Sequence, residues 1–415
     1  MNTYPFVIVG GGVVAGYAAQ EFTANGLNPG ELCIISAEST LPYERPPLSK
    51  EFLAGKSSVD DILINTPEFY EQNGIEVWLN TVVGRVDFER KLLFTTNGLI
   101  GYEKLLIATG SRPRHLNIPG YDLIGIHYLR RVEDAQRILE STDGNKTALV
   151  IGGGFIGLEV SAVLQSSGLH TTLIFKENRV YRNLFTPEMS AFFEDYYRKR
   201  GVNLRPGVRI QSIEGEHGVA THVTLESGEK LYAGLIVAGI GVESNTEIFA
   251  SDELELNDGI LVDRFLKTNV PDVYAAGDVA RYKDEIYDRW RRFEHWDNAV
   301  NQARIVARNM LGIQEPYMHI PYFFSDVFDL SYEFWGDNSS ADQSIVRGKM
   351  ESGSFSVWWL REEQLIAAFL MDRPDDEREV APEWIDSSRK LSPILLADEQ
   401  SEIHAAEIQV VSNGR

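Results

Sequence analysis

Two stretches of the chain share one pattern, in which an apolar strand runs into a glycine turn and then into a helix of small residues. The first stretch runs from Tyr4 to Gly16 and the second from Thr147 to Glu159. Unbroken apolar runs bounded by glycine are typical of strands buried in a parallel sheet. Another apolar strand follows each stretch, at residues 32–36 and 171–175. The pattern therefore predicts two βαβ units of the doubly wound type.

Further apolar strands indicate how the two units are connected. Residues 104–107 and 235–239 each form a strand that ends in a turn, and residues 273–275 add one more strand. Because this last strand follows the second unit, we expect the second unit to be inserted into the first. The predicted fold class is α/β, with two Rossmann-like domains. The first comprises residues 1–112 and 245–312, and the second comprises residues 113–244.

The pattern changes after Pro316, where aromatic residues become dense and partly alternate with polar ones. Residues 354–360 and 364–370 are predicted as two strands around a charged turn. We therefore predict a C-terminal α+β interface domain with an antiparallel sheet at 317–390. Residues 391–415 are acidic and weakly patterned, so a partly ordered tail is expected there.

Composition narrows the class of protein. Hydrophobic residues make up 43% and charged residues 24% of the 415 positions, as in an ordinary globular protein. The formal charge of -22 repels phosphate backbones, which argues against nucleic-acid binding. The eight histidines show no metal-ligand spacing, so no metal site is expected. No apolar run is long enough to span a membrane and no signal peptide is recognisable, so a cytoplasmic protein is expected.

The first glycine turn fits a dinucleotide-binding pattern. Gly10, Gly12 and Ala15 follow G-x-G-x-x-A, in which the first glycine allows a tight turn and the second lets a pyrophosphate approach the backbone. The phosphate would lie at the helix N-terminus, where unpaired N–H groups favour negative charge. Glu38 follows the next strand, where an acid that binds ribose hydroxyls is expected.

The second turn is the more complete copy, because Gly152, Gly154 and Gly157 give G-x-G-x-x-G and Glu177 supplies the acid. Two such copies argue against the alternative of two sheets without a ligand. A carboxylate at this place accepts ribose hydroxyls and repels a 2′-phosphate, which favours NADH. Lys176 and Arg179 flank the acid and leave NADPH as the alternative.

Together with the later Ala276-Gly277-Asp278 turn, these motifs make the chain resemble the two-dinucleotide-binding-domain flavoproteins. The resemblance implies FAD on the first fold, NAD(P)H on the inserted fold, and Asp278 at the ribityl and pyrophosphate region of the flavin. A fixed carboxylate can hold ribityl hydroxyls. The alternative is that Asp278 only caps the helix predicted after it.

Among these flavoproteins the chain resembles the monodehydroascorbate reductases over residues 4–370, with the ferredoxin and rubredoxin reductases and the apoptosis-inducing-factor group as related branches. The segments that carry this resemblance are 43–50, 184–187, 194–197, 294–295 and 328–331. The resemblance implies that Arg45 and Lys50 lie near FAD, and that Glu294 and His295 position groups at the flavin and nicotinamide. The alternatives are solvated charges for Arg45 and Lys50, and a satisfied buried imidazole for His295.

The predicted site has three parts. The FAD part comprises Gly10, Gly12, Ala15, Glu38, Arg45, Lys50, Ala108, Thr109, Gly110 and Asp278. The NAD part comprises Gly152, Gly154, Phe155, Ile156, Gly157, Glu177 and Gly241. The acceptor side comprises Arg291, Arg292 and Phe324.

The single cysteine, Cys33, excludes a redox-active cysteine pair, so electrons are expected to leave directly from the flavin. By the resemblance, ascorbyl radical is held by an Arg and a Tyr, but Val300 and Phe324 occupy those positions here. Neither side chain can donate a hydrogen bond to an oxyanion. A quinone, oxygen or an iron–sulfur protein is then at least as good a candidate acceptor as the ascorbyl radical. A basic cluster at 281–292 would either steer an anionic acceptor or form a solvated face.

Three functions follow. The leading hypothesis is an FAD-dependent NADH oxidoreductase that passes single electrons to an acceptor. The second is the NADH-dependent reductase of a ferredoxin or rubredoxin system. The third, from a different class, is an NADH-sensing interaction protein like the apoptosis-inducing-factor group.

Overall fold

The computed structural model describes residues 2–249 and 253–408. The chain divides into two compact units. The first comprises Met1–Arg114, Leu129–Gln136 and Gly241–His319, and the second comprises His115–Tyr128, Arg137–Ile240 and Ile320–Arg415. The C-terminal region thus belongs to the same unit as the second glycine turn. The finer domain boundaries of the sequence analysis stay a prediction.

Helices and strands alternate around the two glycine turns, and elsewhere the strands follow one another in runs. The helices are α1 (Val13–Ala24), α2 (Pro67–Gln72), α3 (Val132–Glu140), α4 (Phe155–Ser166), α5 (Pro187–Lys199), α6 (Trp296–Leu311), α7 (Asp375–Asp386) and α8 (Pro393–Ala397). The strands up to residue 128 are β1 (Asn2–Val9), β2 (Leu32–Ile35), β3 (Glu76–Trp78), β4 (Val83–Asp87), β5 (Leu92–Thr95), β6 (Gly98–Ile107), β7 (Ser111–Pro113) and β8 (Ile126–Tyr128). The next are β9 (Thr147–Ile151), β10 (His170–Ile174), β11 (Asn203–Arg205), β12 (Ile210–Glu216), β13 (Val219–Leu225), β14 (Lys230–Tyr232), β15 (Leu235–Ala238) and β16 (Val242–Ser244). The last are β17 (Ile260–Val262), β18 (Val273–Ala275), β19 (Ala280–Asp284), β20 (Arg289–Arg291), β21 (Tyr322–Val327), β22 (Leu330–Gly336), β23 (Gln343–Lys349), β24 (Ser354–Arg361) and β25 (Gln364–Met371).

The first unit is built on a parallel sheet in the order β3-β2-β1-β6, and β18 pairs with β6 on the far side. The antiparallel strands β5 and β4 extend the other end of β6. Because β18 comes after the second glycine turn in the chain, the predicted insertion of one Rossmann-like fold into the other is confirmed. Helix α1 packs on α6 through small residues such as Ala15 and Ala18, which are fully buried.

The second unit contains its own parallel sheet, in the order β11-β10-β9-β15-β8. Its central strand β9 has four consecutive buried residues, as the unbroken apolar pattern predicted. A small antiparallel sheet, β12-β13-β14, lies in the same unit.

The C-terminal part of the second unit is a five-stranded antiparallel sheet, in the order β21-β22-β25-β24-β23. The two strands predicted at 354–360 and 364–370 are β24 and β25, each one residue longer than expected. The core of this sheet is aromatic, with Phe355, Trp358 and Phe369 fully buried. The predicted antiparallel C-terminal domain is confirmed.

Residues 391–408, expected as part of a tail, are folded onto this sheet. Leu391, Leu396 and Ile403 are buried, although the local sequence is acidic. The anchor is Arg347 on β23, whose guanidinium donates to the carbonyl oxygens of Asp398 at 2.6 Å and Ser401 at 2.7 Å. A local hydrophobic pattern does not reveal such a long-range contact. The remainder of the predicted tail, 409–415, lies outside the described residues.

The longest helix between residues 2 and 249 or between 253 and 408 is α6. No helix in these ranges is long and apolar enough to cross a membrane.

We predict that Arg347→Ala lowers the free energy of unfolding by about 3–5 kcal/mol, because it breaks a buried ion pair. Arg347 Nε donates to Glu377 Oε1 at 2.8 Å, and both side chains are at most 5% exposed. Urea unfolding followed by tryptophan fluorescence measures the change.

The matched control is Arg361→Ala on the exposed end of β24, which should change stability by less than about 0.5 kcal/mol. Equal effects of the two substitutions would contradict the anchoring role of Arg347.

Candidate functional site

The first glycine turn contains the two motif glycines Gly10 and Gly12, and only one of them is required by the fold. Gly10 has φ +121°, and a Cβ there would come within 2.1 Å of the Ala108 carbonyl oxygen. The fold itself therefore requires glycine at this position. Gly12, which precedes α1, has φ −92°, and a Cβ there would come no closer than 3.8 Å to its nearest neighbour, Arg45 Nη2. Neither backbone nor packing explains glycine at position 12.

The second turn repeats this arrangement. A Cβ at Gly152 would come within 2.1 Å of the Gly239 carbonyl oxygen, and one at Gly157 within 1.8 Å of the Gly152 carbonyl oxygen. Gly154, which precedes α4, has φ −95°. No atom of the described part of the chain lies within 4 Å of a Cβ placed there.

Gly12 and Gly154 therefore each keep clear a space in front of a helix N-terminus. A pyrophosphate fits such a space, because the first turn of the helix offers N–H groups and a favourable dipole. The packing of the protein does not require the open space at either turn. Both predicted turns therefore have room for a bound pyrophosphate.

Glu38 lies in a hydrogen-bonded cluster beside the first turn. Its Oε1 accepts from Arg45 Nη2 at 2.6 Å and its Oε2 accepts from the Tyr43 hydroxyl at 2.6 Å. Burial alone would raise the pKa of Glu38, but the Arg45 charge and the hydrogen bonds outweigh it and hold the pKa below its usual range. Arg45 also donates to the Arg130 carbonyl oxygen at 2.7 Å, so it is not a solvated surface charge.

Asp278 does not cap a helix. The 3-10 turn Gly277–Val279 leads into strand β19, and no side chain caps it. The Asp278 carboxylate instead accepts from the Ser111 hydroxyl at 2.6 Å and from Arg130 Nη2 at 2.8 Å. Sequence reasoning found Asp278 but missed Ser111 and Arg130, since no motif marks either residue.

Glu294 is ion-paired with Arg292, which also donates to the Asp278 carbonyl oxygen at 3.1 Å. Burial raises the pKa of Glu294, and the nearby Asp278 charge raises it further. The structure thus brings Asp278 and Glu294 together, with one arginine beside each carboxylate.

His295 is the N-cap of α6, and its Nδ1 accepts from the Asp297 backbone N–H at 3.3 Å. Burial lowers the pKa of His295 to about 4, against the opposing charges of Asp297 and Asp278, and the Lys50 charge lowers it too. The imidazole is therefore neutral at pH 7. Because Nδ1 is an acceptor, Nε2 carries the proton. The capping bond gives His295 a structural role, and its positioning role stays a prediction.

The turn after β6 is held by Asn245, a residue that the sequence did not single out. The Asn245 side chain donates to the Thr109 carbonyl oxygen at 2.8 Å, and its backbone N–H donates to the Gly110 carbonyl oxygen at 3.0 Å. Gly110 has φ +64°, which favours glycine. Ala108 and Thr109 lie against Gly10 of the first glycine turn, and the role of residues 108–110 in binding FAD stays a prediction.

Glu177, the acid predicted for the second turn, lies on the loop between β10 and α5. Arg179 donates to the carbonyl oxygens of Phe185 at 2.6 Å and Arg182 at 2.8 Å in this loop, and to the Ser190 hydroxyl of α5 at 2.8 Å. Glu177 keeps 37% of its side chain exposed, and Lys176 Nζ lies 4.0 Å from it.

Of the other residues predicted near the nucleotide, Phe155 begins α4 and Ile156 is 38% exposed beside it. Gly241 belongs to the first unit, where its carbonyl oxygen accepts from the Arg114 N–H at 2.9 Å, whereas the rest of the predicted NAD part belongs to the second unit. Its role at the nucleotide stays a prediction.

The residues predicted on the acceptor side are placed differently from the expectation of a free basic face. Arg291 is buried and paired with Asp284 at 2.9 Å, and Arg292 keeps only 7% of its side chain exposed. Lys283 is paired with Asp288 at 2.8 Å. Phe324 is half-buried on β21 of the second unit. The cations at 281–292 are therefore mostly neutralised by the protein itself.

Within residues 2–249 and 253–408, no group of three or more His, Cys, Asp or Glu side chains is placed to hold a metal ion.

Comparison with protein families identifies the class of protein that this fold and site belong to. Residues 4–303 match the family described as pyridine nucleotide-disulphide oxidoreductase, and residues 322–406 match the family described as reductase C-terminal. The chain belongs to the pyridine nucleotide-disulphide oxidoreductase family. It is an FAD-containing, NAD(P)H-dependent oxidoreductase. Its one cysteine is the buried Cys33, so it has no redox-active disulfide.

Individual relatives narrow the resemblance. The chain is 37% identical to monodehydroascorbate reductase of Pisum sativum, over 92% of this chain and 94% of that protein. Among solved structures, the putidaredoxin reductase of a covalent complex with putidaredoxin superimposes with a TM-score of 0.92 at 32% identity, covering 98% of this chain and 99% of that one. The ferredoxin reductase of Rhodopseudomonas palustris gives a TM-score of 0.92 at 31% identity, covering 98% and 100%.

We predict that Gly12→Ala and Gly154→Ala separate the two binding events, because each methyl group occupies space that the fold leaves open. Gly12→Ala should weaken FAD binding by about tenfold or more, and Gly154→Ala should keep FAD but weaken NADH binding to a similar degree. Visible absorbance measures the flavin content, and stopped-flow reduction measures the nucleotide affinity.

The control is Gly10→Ala, which should fail to fold because its Cβ meets a backbone carbonyl. Loss of FAD from the Gly154→Ala protein, with FAD retained by Gly12→Ala, would contradict the assignment of the two turns.

Proposed function

We propose that this protein is an FAD-dependent NADH oxidoreductase that holds FAD at the Gly10–Ala15 turn and NADH at the Gly152–Gly157 turn, and that it delivers single electrons to an iron–sulfur protein. The observation that carries the cofactor assignment is the pair of open spaces at Gly12 and Gly154, each in front of a helix N-terminus. Each turn also has an acid on the loop after the next strand, Glu38 in one unit and Glu177 in the other.

The groups around the first turn would hold FAD without rearranging. Glu38 is ionised and fixed by Arg45 and Tyr43, so its remaining lone pairs can accept ribose hydroxyls. Asp278 is fixed by Ser111 and Arg130 and can accept ribityl hydroxyls. When bound, FAD accepts a hydride and releases electrons one at a time. His295 is neutral and presents an Nε2–H donor, which suits a positioning role without proton transfer.

NADH is favoured over NADPH by the state of Arg179. Its guanidinium already donates to Phe185 and Arg182 in its own loop and to Ser190 on α5, which uses three of its five N–H groups and leaves it less able to bind a 2′-phosphate. Glu177 would repel a 2′-phosphate and accept ribose hydroxyls instead. Lys176 is the remaining cation beside this acid, and it is 69% exposed at its side chain.

An iron–sulfur protein is favoured as the acceptor by two residues and by the structural neighbours. Val300 is 4% exposed in the core of the first unit, and Phe324 has no hydroxyl, so neither offers a hydrogen bond to an ascorbyl oxyanion. The two solved structures described above are reductases whose names link them to putidaredoxin and ferredoxin.

The second candidate is reduction of the monodehydroascorbate radical. Identity of 37% to the Pisum sativum enzyme over nearly the whole chain favours it. Binding of the radical would then have to rest on residues other than 300 and 324.

The nucleotide assignment predicts that Glu177→Ala raises the NADH KM by about tenfold and narrows the preference over NADPH, because a charged hydrogen-bond acceptor is lost. Lys176→Ala is the matched control and should keep the NADH KM within about twofold. An unchanged ratio of NADH to NADPH efficiency in Glu177→Ala would show that this acid does not select the nucleotide.

The acceptor is tested by reducing the enzyme anaerobically with NADH and mixing it with a [2Fe–2S] ferredoxin or with an ascorbyl radical source. We expect rapid reoxidation by the ferredoxin and slow reoxidation by the radical. Because the cations at 281–292 are mostly paired, the ferredoxin rate should depend only weakly on ionic strength.

Fast reoxidation by the radical alone would move the function to the second candidate. A reduced enzyme that persists with both acceptors would contradict the proposal and favour the NADH-sensing alternative.

A further inference from the structure

A single aromatic side chain links the second glycine turn to the C-terminal sheet. Phe155 is the first residue of α4, directly after Gly154. Its ring contacts Tyr181 at a centroid distance of 5.0 Å and Phe323 of β21 at 4.8 Å. All of these residues lie within the second unit. The side chain at the start of the nucleotide helix is therefore held between the loop that carries Glu177 and the C-terminal sheet.

Tyr181 is held in a conformation that a bulky residue rarely adopts. Its φ is +48°, and its side chain is buried. Its backbone N–H points to the Gly153 carbonyl oxygen at 3.4 Å, and its own carbonyl oxygen accepts from the N–H groups of Leu184 and Phe185 at 2.9 Å each. A left-handed conformation in a non-glycine residue persists only where the surroundings hold it.

The hydroxyl of Tyr181 is part of that restraint, because it lies 2.7 Å from the Tyr332 hydroxyl on β22. Both residues are buried, and burial raises the pKa of both hydroxyls, so both remain protonated at neutral pH. Tyr332 lies opposite Ser325 in the β21–β22 pairing, and the Ser325 hydroxyl also interacts with it.

Ser325 completes a connection back to the nucleotide helix. Its hydroxyl donates to Glu159 Oε1 at 2.5 Å, and Glu159 lies on α4, four residues after Phe155. Two hydroxyl contacts therefore join the C-terminal sheet to the nucleotide region, Tyr332 to Tyr181 on the loop and Ser325 to Glu159 on α4.

We infer that Tyr332 of the C-terminal sheet is a positioning residue for the pyridine nucleotide, which acts through Tyr181 to hold Phe155 and the Glu177 loop against the second glycine turn. This inference rests on the proposed assignment of that turn to NADH. The C-terminal sheet is then part of the architecture of the nucleotide site.

Loss of the Tyr332 hydroxyl should weaken the restraint on Tyr181. Without the Tyr332 hydroxyl, the Tyr181 hydroxyl stays buried without this partner, which favours movement of Tyr181 away from the sheet. Movement of Tyr181 removes its ring contact with Phe155 and loosens the loop that carries Glu177. The first unit, which would hold FAD, does not contain any of these residues.

The test is stopped-flow reduction of the FAD-loaded full-length Tyr332→Phe enzyme by NADH. We expect the apparent Kd for NADH to rise about fivefold, with unchanged FAD content and an unchanged limiting reduction rate. The double variant Tyr181→Phe/Tyr332→Phe should recover much of the affinity, because no hydroxyl is then left stranded. A merely structural loss would not be reversed by removing the second hydroxyl.

The matched control is Tyr197→Phe, which removes an equally buried hydroxyl that donates to the Leu158 carbonyl oxygen at 3.1 Å. It should leave the NADH Kd within about twofold. If Tyr332→Phe does not fold, Tyr181→Phe removes the same hydrogen bond from the loop side and should also weaken NADH binding.

Gly154→Ala distinguishes failure of the inference from failure of the proposed function. Weak NADH binding in Gly154→Ala with normal binding in Tyr332→Phe and Tyr181→Phe would overturn the inference and leave the assignment of the turn intact. Normal binding in all three variants would overturn the assignment itself.

Discussion

In each unit the helix after the first strand begins where a glycine brings the backbone against the carbonyl oxygen of a neighbouring strand. Gly10 lies against Ala108 and Gly152 against Gly239, each so close that a Cβ would clash at 2.1 Å. This contact directs each helix N-terminus to one edge of its parallel sheet, the edge at which the strands end. Two residues later, Gly12 and Gly154 leave open the space in front of that N-terminus. The rest of both candidate sites is arranged around these two points.

Charges of opposite sign accompany the first turn, although the chain as a whole is strongly acidic. Glu38 is paired with Arg45 and Asp278 with Arg130, at 2.6 and 2.8 Å. The pair at Glu38 holds the pKa of that carboxyl below its usual range, and both pairs fix the direction of the carboxylate, which a group that must receive ribose or ribityl hydroxyls requires. Pairing of the same kind reduces the free charge of the 281–292 cluster, because Arg291 and Arg292 are held by acids of this protein.

Around the second turn the contacts are of a different kind, mainly between aromatic rings and between hydroxyl groups. Phe155, Tyr181 and Tyr332 connect the nucleotide helix, the loop of the second acid and the C-terminal sheet. The C-terminal region therefore supports the nucleotide site from within its own unit. This arrangement gives a physical reason for the second unit to contain both parts of the chain.

The sequence by itself determined the two Rossmann-like folds, the insertion of one into the other and the antiparallel C-terminal sheet. These features follow from short-range patterns, because apolar runs of strand length and glycine spacing act within a few residues. Only the tertiary structure decided which partners the polar and charged residues have. Residues far apart in the chain are joined in this way, namely Arg130 with Asp278, Asn245 with Thr109, and Arg347 with the 391–408 segment. The Tyr181–Tyr332 pair is of the same kind, because a hydrogen bond between distant segments leaves no periodic signal in either one.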